Sequence, residues 1–173
     1  DVPGSEAGTV QVSKLTIQHG EIEDDKHGAG MSIDNSSSSV VITQLNFKDN
    51  FGEGYSSGGG LFTQAYTEIF DCTFTGNEVG GEGGAIYQVN SLLVSRTTLM
   101  NNSAKYGGGL ANQGTVELYN VTISGNTASS SGGGISQWNA GDLTIRYTTI
   151  ANNSVTGNNS GWVIQNARTF KAF

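Results

Sequence analysis

Charged residues and cysteine are scarce in this sequence. Charged residues make up 13% of the 173 residues, which is half of the usual ~25%. This scarcity excludes a solvated helical bundle and a highly charged disordered chain. Cys72 is the only cysteine, so no disulfide can form within the chain. The net charge of −7 argues against a nucleic-acid partner, because phosphates are bound by lysine and arginine.

Long apolar runs are also missing. No segment approaches the ~20 apolar residues of a membrane-spanning helix, so we expect no membrane span in this chain. The first ten residues, DVPGSEAGTV, lack the basic and then apolar pattern of a signal peptide. We expect the sequence to be either a mature protein or a part of a longer chain, and we favour the second.

Glycine, with 26 residues, is abundant and belongs to a repeated pattern. Each repeat contains an apolar anchor residue, and successive anchors are about 24 to 30 residues apart, a spacing typical of solenoids. Apolar or small residues recur seven, five and two positions before each anchor, which predicts two short strands joined by a bend. The six anchors are Ile17, Phe47, Phe74, Leu99, Ile123 and Ile150.

An asparagine follows three residues after each anchor except the first, where Gly20 takes this position. Asparagine tolerates left-handed turn geometry, and its amide can bond the same group one coil away. We therefore predict a structural ladder formed by Asn50, Asn77, Asn102, Asn126 and Asn153. A variable loop and a glycine cluster come next, and then a third strand that is predicted to begin at Met31, Leu61, Ile86, Leu110, Ile135 and Trp162.

Two strands, a turn, a third strand and a glycine corner make one coil of a parallel β-helix. Each repeat alone leaves an apolar face bare, and stacking against its neighbours covers that face. The sequence thus predicts an all-β single domain of about six coils over residues 1–173. Residues 10–165 form the repeats, 1–9 the N-terminal edge and 166–173 a C-terminal tail. The aromatic residues expected to cover the last coil are Trp162, Phe170 and Phe173.

Two repeat motifs carry a resemblance to a known family. FTGN (74–77) and GGAIY (83–87) are similar to the repeats of polymorphic outer-membrane proteins. FKDN with GGGLF, and ISGN with GGGIS, resemble more loosely the repeats of secreted bacterial right-handed β-helix proteins. The resemblance covers about residues 10–165. It implies a right-handed helix outside the cell or on its surface, often as the passenger of an adhesin or autotransporter.

Acidic residues gather in the loops after the first three anchors. Counting from the anchors aligns Glu23 with Glu53, and Asp25 with Glu82. Carboxylates stacked one coil apart repel one another unless they splay or a cation such as Ca²⁺ bridges them. A solvated loop edge is the simpler interpretation, a calcium site at these four residues is the alternative, and no other cofactor is expected.

Two glutamates suggest a catalytic alternative. Glu68 and Glu117 share an outward column two coils apart, which is about 10 Å and close to the carboxylate spacing of inverting glycosidases. Leu93 lies between them, however, and no second acid or base flanks either one. We therefore predict solvent-facing glutamates and no catalytic site.

The predicted outward aromatic residues suggest a binding surface. Phe62, Tyr87 and Trp138 could stack on sugar rings, or they could pack across strands. We expect an extracellular or cell-surface module with a structural or adhesive role, whose partners are glycans or other surface proteins. The alternatives are a polysaccharide-degrading enzyme, either a lyase or a glycoside hydrolase, and a filament or surface-layer subunit that self-associates head to tail.

Overall fold

The computed structural model describes residues 9–34, 37–138, 141–157, 162–166 and 170–172. In these ranges every regular element is a β-strand, and strands of one turn of the chain pair in parallel with those of the next. Four strands per turn build four parallel sheets around a shared core. The fold is therefore a β-solenoid of six coils, and one strand of a seventh extends sheet 1.

Sheets 1 and 2 contain the two strands predicted before and at each anchor. The strands of sheet 1 are Thr9–Ser13, Ser39–Thr43, Tyr66–Phe70, Leu92–Ser95, Val116–Tyr119, Leu143–Arg146 and Phe170–Ala172. The strands of sheet 2 are Thr16–Gln18, Asn46–Lys48, Thr73–Thr75, Thr98–Met100, Thr122–Ser124 and Thr149–Ala151.

Sheets 3 and 4 complete each coil. The strands of sheet 3 are Glu21–Ile22, Phe51–Gly52, Glu78–Val79, Ser103–Tyr106, Thr127–Ser131 and Ser154–Val155. The strands of sheet 4 are Met31–Ile33, Leu61–Thr63, Ile86–Gln88, Leu110–Asn112, Ile135–Gln137 and Ile164–Asn166. In the described part of the chain, no helix has the length and apolarity needed to cross a membrane.

The predicted register is confirmed, since all six anchors pair in one column of sheet 2. The side chains of this column point into the core, where the rings of Phe47 and Phe74 stack at 4.4 Å. Cys72 is also a core residue, and its sulfur accepts a hydrogen bond from the backbone N–H of Leu45. Burial raises the pKa of the Cys72 thiol.

Sheet 3 was not predicted, because its residues were assigned to a variable loop after each asparagine. Its strands are as short as two residues, and each turns one small or apolar residue inward. Four of the six described strands have only two residues, and a strand this short cannot show an alternating pattern. The inward residues of sheet 3 are Ile22, Gly52, Val79, Ala104, Ala128 and Val155.

The last coil departs from the predicted register. Ile164, rather than Trp162, begins its third strand and pairs with Ile135. Trp162 is 71% exposed, so the prediction that it covers the core is wrong. The last loop lacks the glycine cluster that marks the corner in earlier coils, and its length was misjudged. Phe170 begins a strand that pairs with sheet 1, and Phe173 lies outside the described residues.

Left-handed residues form the corners beside sheet 2. Asp49, Asn101 and Asn152 have φ values of 51°, 56° and 56°, and glycine occupies the same corner in two other coils. Each of these residues directly precedes a ladder asparagine. The ladder asparagines themselves have no positive φ, so the left-handed geometry that asparagine tolerates is used one residue earlier. The preceding residue turns the chain, and this turn leaves the ladder side chain free to point inward.

Candidate functional site

The five predicted ladder asparagines lie in one column between sheets 2 and 3. Asn50 Nδ2 donates to Asn77 Oδ1 at 2.8 Å, and the next three steps of the ladder are 2.9 Å each. The backbone N–H of each donating residue also bonds the same oxygen, at 2.9 to 3.2 Å. Each Nδ2 further donates to the carbonyl of the anchor one coil earlier, at 2.8 to 3.1 Å.

This pairing explains how polar side chains can be buried in the coil. Asn77 and Asn126 are 0% exposed and Asn102 is 1% exposed, yet their amide groups are fully hydrogen bonded. Burying an amide without partners would cost several kcal/mol. The column therefore stabilises the stack, and it does not present a binding site to solvent.

The structure keeps Glu23 and Glu53 together, as predicted, but separates Glu82 from Asp25. Glu82 pairs through its backbone with Tyr106, and its carboxylate accepts a hydrogen bond from Ser57 at 3.1 Å, so it does not align with Asp25. Glu23 and Glu53 line a depression of about 380 Å³ together with Glu21. Among the described residues, no three metal-ligating side chains are grouped closely enough to hold an ion.

The two candidate catalytic glutamates lie on the outer face of sheet 1 in the predicted column. The register places Leu93 between Glu68 and Glu117, as expected. The hydroxyl of Tyr66 donates to Glu68 Oε1 at 2.9 Å, and this bond is the main cause that raises the pKa of Tyr66. A depression of about 90 Å³ lies beside them and is lined by Tyr66, Leu93 and Glu117, among others.

The aromatic residues predicted to contact glycans are mostly covered. Phe62 and Tyr87 point away from the main core, but they are only 2% and 7% exposed. His27 stacks on the Phe62 ring at 4.6 Å, so a loop from the preceding coil shields it. Phe62 and Tyr87 form a small second core with Ala111. Of the two predicted alternatives, Phe62 and Tyr87 take the packed one.

Hydrogen bonds and ring contacts also involve other residues on this outer face of sheet 4. Gln113 Nε2 donates to the Tyr87 hydroxyl at 2.5 Å. Burial, followed by the nearby Glu82 carboxylate, raises the pKa of Tyr87 to about 12. Trp138 is half-buried and meets the Tyr106 ring edge to face at 4.9 Å. The outer face of sheet 4 thus holds packed rings and offers no open aromatic platform at Phe62 and Tyr87.

Exposed aromatic residues lie instead on the outer face of sheet 1 and on the corner beside it. Tyr66, Tyr119 and Tyr147 are 40%, 48% and 71% exposed. Tyr119 and Tyr147 meet edge to face at 5.2 Å, and the guanidinium of Arg96 lies 5.6 Å from the centre of the Phe70 ring. We call Tyr66, Phe70, Tyr119 and Tyr147 the aromatic strip, in which Phe70 is half-buried and the three tyrosines are exposed. It lies beside Glu68 and Glu117 on the same face.

A family model described as a right-handed β-helix region matches residues 4–172. The chain belongs to the right-handed β-helix family. No match was found among curated proteins, and none was found among solved structures. The family fixes the architecture of this β-helix, which is consistent with surface roles and with enzymatic roles.

The aromatic strip of this β-helix was largely missed by the sequence analysis, although a signal was present. Phe70 and Tyr119 lie two residues after Glu68 and Glu117 on the same strands, so the period of two places all four side chains outward. Tyr147 lies in the corner between sheets 1 and 2, at the position that Arg96 occupies two coils earlier. Attention to outward columns beyond the charged residues would have identified the strip.

Proposed function

We propose that this β-helix is an extracellular or cell-surface module that binds glycans and does not cleave them. The aromatic strip is the observation that carries the proposal. Tyr119 and Tyr147 expose large ring surfaces on one face of a rigid solenoid. Exposed apolar groups that cluster on one face mark interaction sites, whereas single exposed apolar residues are normal on a protein surface.

Saccharides suit such a surface for chemical reasons. Sugar rings carry one face of C–H groups, which packs on an aromatic ring, and a rim of hydroxyls, which bonds carboxylates and amides. Glu68 and Glu117 supply carboxylates beside the strip, and the Tyr66 hydroxyl lies next to them. The face therefore offers stacking and hydrogen bonding within reach of one ligand.

A rigid scaffold also favours binding. Tyr66, Phe70 and Tyr119 lie on strands paired on both sides in sheet 1, so their backbone is fixed by parallel hydrogen bonds, and Tyr147 directly follows the next strand. A preformed site loses little conformational entropy when a ligand binds. This supports an adhesive role, in which the surface is ready before contact.

Polysaccharide cleavage is the second candidate, and the carboxylate pair favours it. Glu68 and Glu117 lie two coils apart, about 10 Å between backbones, and inverting glycosidases hold their carboxyl groups roughly 6.5–9.5 Å apart. Against this candidate, Glu68 accepts a hydrogen bond from Tyr66, and Leu93 occupies the coil between the two glutamates. Binding without cleavage fits this arrangement better.

Binding to immobilised polysaccharides tests the proposal directly. We expect the wild-type protein to be retained on at least one insoluble or immobilised glycan. Tyr119→Ala and Tyr147→Ala, each at an exposed position, should reduce retention without lowering the melting temperature by more than a few degrees. Tyr55→Ala is the matched control, because Tyr55 is 67% exposed and lies in a loop after sheet 3. Equal loss in the control variant, or no retention on any glycan, would contradict glycan binding at the strip.

A further inference from the structure

We infer that the outer face of sheet 1 carries two equivalent saccharide subsites, which together bind a linear polysaccharide without acidic groups along the coil axis. The first subsite is Glu68 with Phe70, and the second is Glu117 with Tyr119. This inference rests on the proposed function and specifies its ligand. It depends on a repetition within the fold that the glycan-binding proposal does not require.

The two subsites have the same sequence pattern and the same place in the coil. Glu68, Ile69 and Phe70 occupy one strand, and Glu117, Leu118 and Tyr119 occupy the equivalent positions two coils later. The strand between them carries Leu93, Val94 and Ser95 in register with both. A carboxylate and an aromatic ring are thus repeated by a translation of two coils, about 10 Å along the axis.

A corner residue from the following coil completes each subsite. Arg96 places its guanidinium 5.6 Å from the centre of the Phe70 ring, and Tyr147 places its ring 5.2 Å from Tyr119. Both corner residues have left-handed backbones, with φ values of 48° and 50°. Both corner side chains therefore contact an aromatic ring of the preceding coil.

The spacing determines how a ligand lies on this face. Because the subsites repeat across strands rather than along one strand, a polymer that uses both must run parallel to the coil axis. The coil between them is lower at this face, where Leu93 replaces the glutamates and Ser95 replaces the rings. A depression lined by Leu93, Thr115 and Glu117 lies along the same path.

The charge of the subsites selects the class of ligand. Each subsite contains a carboxylate, and the whole chain has a net charge of −7. Uronate or sulfate groups laid along this face would meet like charges, which is unfavourable for binding. Arg96 does not reverse this, because its guanidinium is paired with the Asp71 carboxylate. Sugars that carry only hydroxyls can donate hydrogen bonds to these carboxylates. Sugars with amino groups can donate to them as well, and their positive charge is attracted.

Affinity as a function of ligand length is the decisive measurement. Titration calorimetry with oligomers of glucose, of glucosamine and of galacturonate, from two to eight residues long, covers the relevant chemistries. We expect an oligomer that spans both subsites to bind at least about tenfold more tightly than one that reaches a single subsite, with no further gain beyond that length. The double variant Glu117→Gln/Tyr119→Thr should keep the affinity for short oligomers within about twofold and lose the gain with length.

Two further variants keep the test independent of folding defects. Glu68→Gln/Phe70→Thr removes the carboxylate and the ring of the first subsite at a cost in strand propensity that a β-branched residue keeps small, and it should weaken long oligomers more than short ones. Glu78→Gln/Tyr55→Ala alters exposed residues elsewhere and should change nothing. Binding without dependence on length, or a preference for galacturonate, would overturn the two-subsite inference and leave glycan binding intact. Failure of every oligomer and polymer to bind would overturn both.

Discussion

Arg96 holds the Asp71 carboxylate of the preceding coil through two parallel hydrogen bonds, 2.7 Å from Nε and 2.8 Å from Nη2. Both residues lie in the corner between sheets 1 and 2, and both have left-handed backbones. The hydrogen bonds from Arg96 hold the pKa of Asp71 below its ordinary value, and those to Asp71 raise the pKa of Arg96. This bidentate pair fastens neighbouring coils on the surface.

The Asp71–Arg96 pair predicts an acid-sensitive contribution to stability. An aspartate with a lowered pKa in the folded state stabilises the fold above its unfolded pKa, about 3.9, and this contribution is lost as pH falls through the folded value. Asp71→Asn should therefore lower the melting temperature at pH 7 and flatten its fall below pH 4. The effect is small because both groups are exposed, and 1 M salt should reduce it. Asp142→Asn, also at an exposed position, is the matched control. Identical pH profiles for the Asp71 variant and the wild type would contradict the pairing.

Tyr87 predicts a loss of stability in base. Its pKa of about 12 in the folded state lies above the ordinary value of 10.0, so folding favours the neutral phenol. Stability from this group is complete below pH 10 and is lost as pH rises toward 12, by about 2–3 kcal/mol. Urea unfolding of Tyr87→Phe should show a shallower decline over this range than the wild type. Tyr55→Phe, at an exposed tyrosine, should decline as the wild type does. If the stability of Tyr87→Phe declined in parallel with that of the wild type, the Tyr87 hydroxyl of the wild type would not be buried.

The asparagine ladder predicts a large effect from a single deletion. Asn102→Ala removes one oxygen that accepts two hydrogen bonds from Asn77 and one amide that donates to Phe74 and Asn126. Leaving these buried groups unpaired should cost about 3 kcal/mol of unfolding free energy. Asn46→Ala, at an exposed position of sheet 2, should change stability by less than about 0.5 kcal/mol. Chemical denaturation measures both, and equal effects would argue against the ladder as a stabilising column.

The acidic loops predict indifference to calcium. Glu82 is bound to Ser57, and Asp25 does not share its column, so a cation would find few ligands in one place. Since an ion that binds only the folded state raises its stability, melting curves report binding. We expect the same melting temperature in 5 mM EDTA and in roughly 5 mM CaCl₂, a concentration that would saturate an extracellular-type site. A rise of several degrees with calcium that disappears in Glu23→Gln/Glu53→Gln would restore the calcium site.

The carboxylate pair predicts binding without turnover. Incubation of the protein with a retained glycan should release neither reducing ends nor unsaturated sugars, because Glu68 is held by the Tyr66 hydroxyl and Leu93 occupies the coil between the two glutamates. If products do form, Glu117→Gln separates the alternatives. Abolished release would establish catalysis at this pair, and unchanged release would point to a contaminating activity.

The features that repeat were predictable from the sequence. The anchors, the inward ladder and the Asp71–Arg96 pair all follow from one register, because in a parallel solenoid equal positions must lie at equal heights. Glu68 and Glu117 could be placed in one column for the same reason.

The features that depend on contacts between loops and strands were not predictable. Phe62 and Tyr87 point outward as the alternation requires, but His27 and Gln113 cover them, and loop positions do not follow the repeat. Sheet 3 is too short to show a pattern. Trp162 was misplaced because the loop before the last strand changes length. Periodicity therefore predicts which way a side chain points, and it does not predict what lies on top of it.

The asparagine ladder gives the solenoid a direction of growth. Every amide oxygen in it accepts from the coil on its N-terminal side, and Gly20 ends the series because it has no side-chain oxygen. In the other direction, each asparagine from Asn50 to Asn126 donates to the asparagine of the coil that follows it. A duplicated repeat inserted after Asn153 could accept hydrogen bonds from the Asn153 amide. A repeat placed before Gly20 would find no side-chain oxygen to accept a hydrogen bond from its own amide. Two copies in head-to-tail contact would meet the same mismatch, so exposed Val10 and Leu15 and the strand edges would have to hold them together. Lengthening by repeat duplication is therefore a one-way process in this protein.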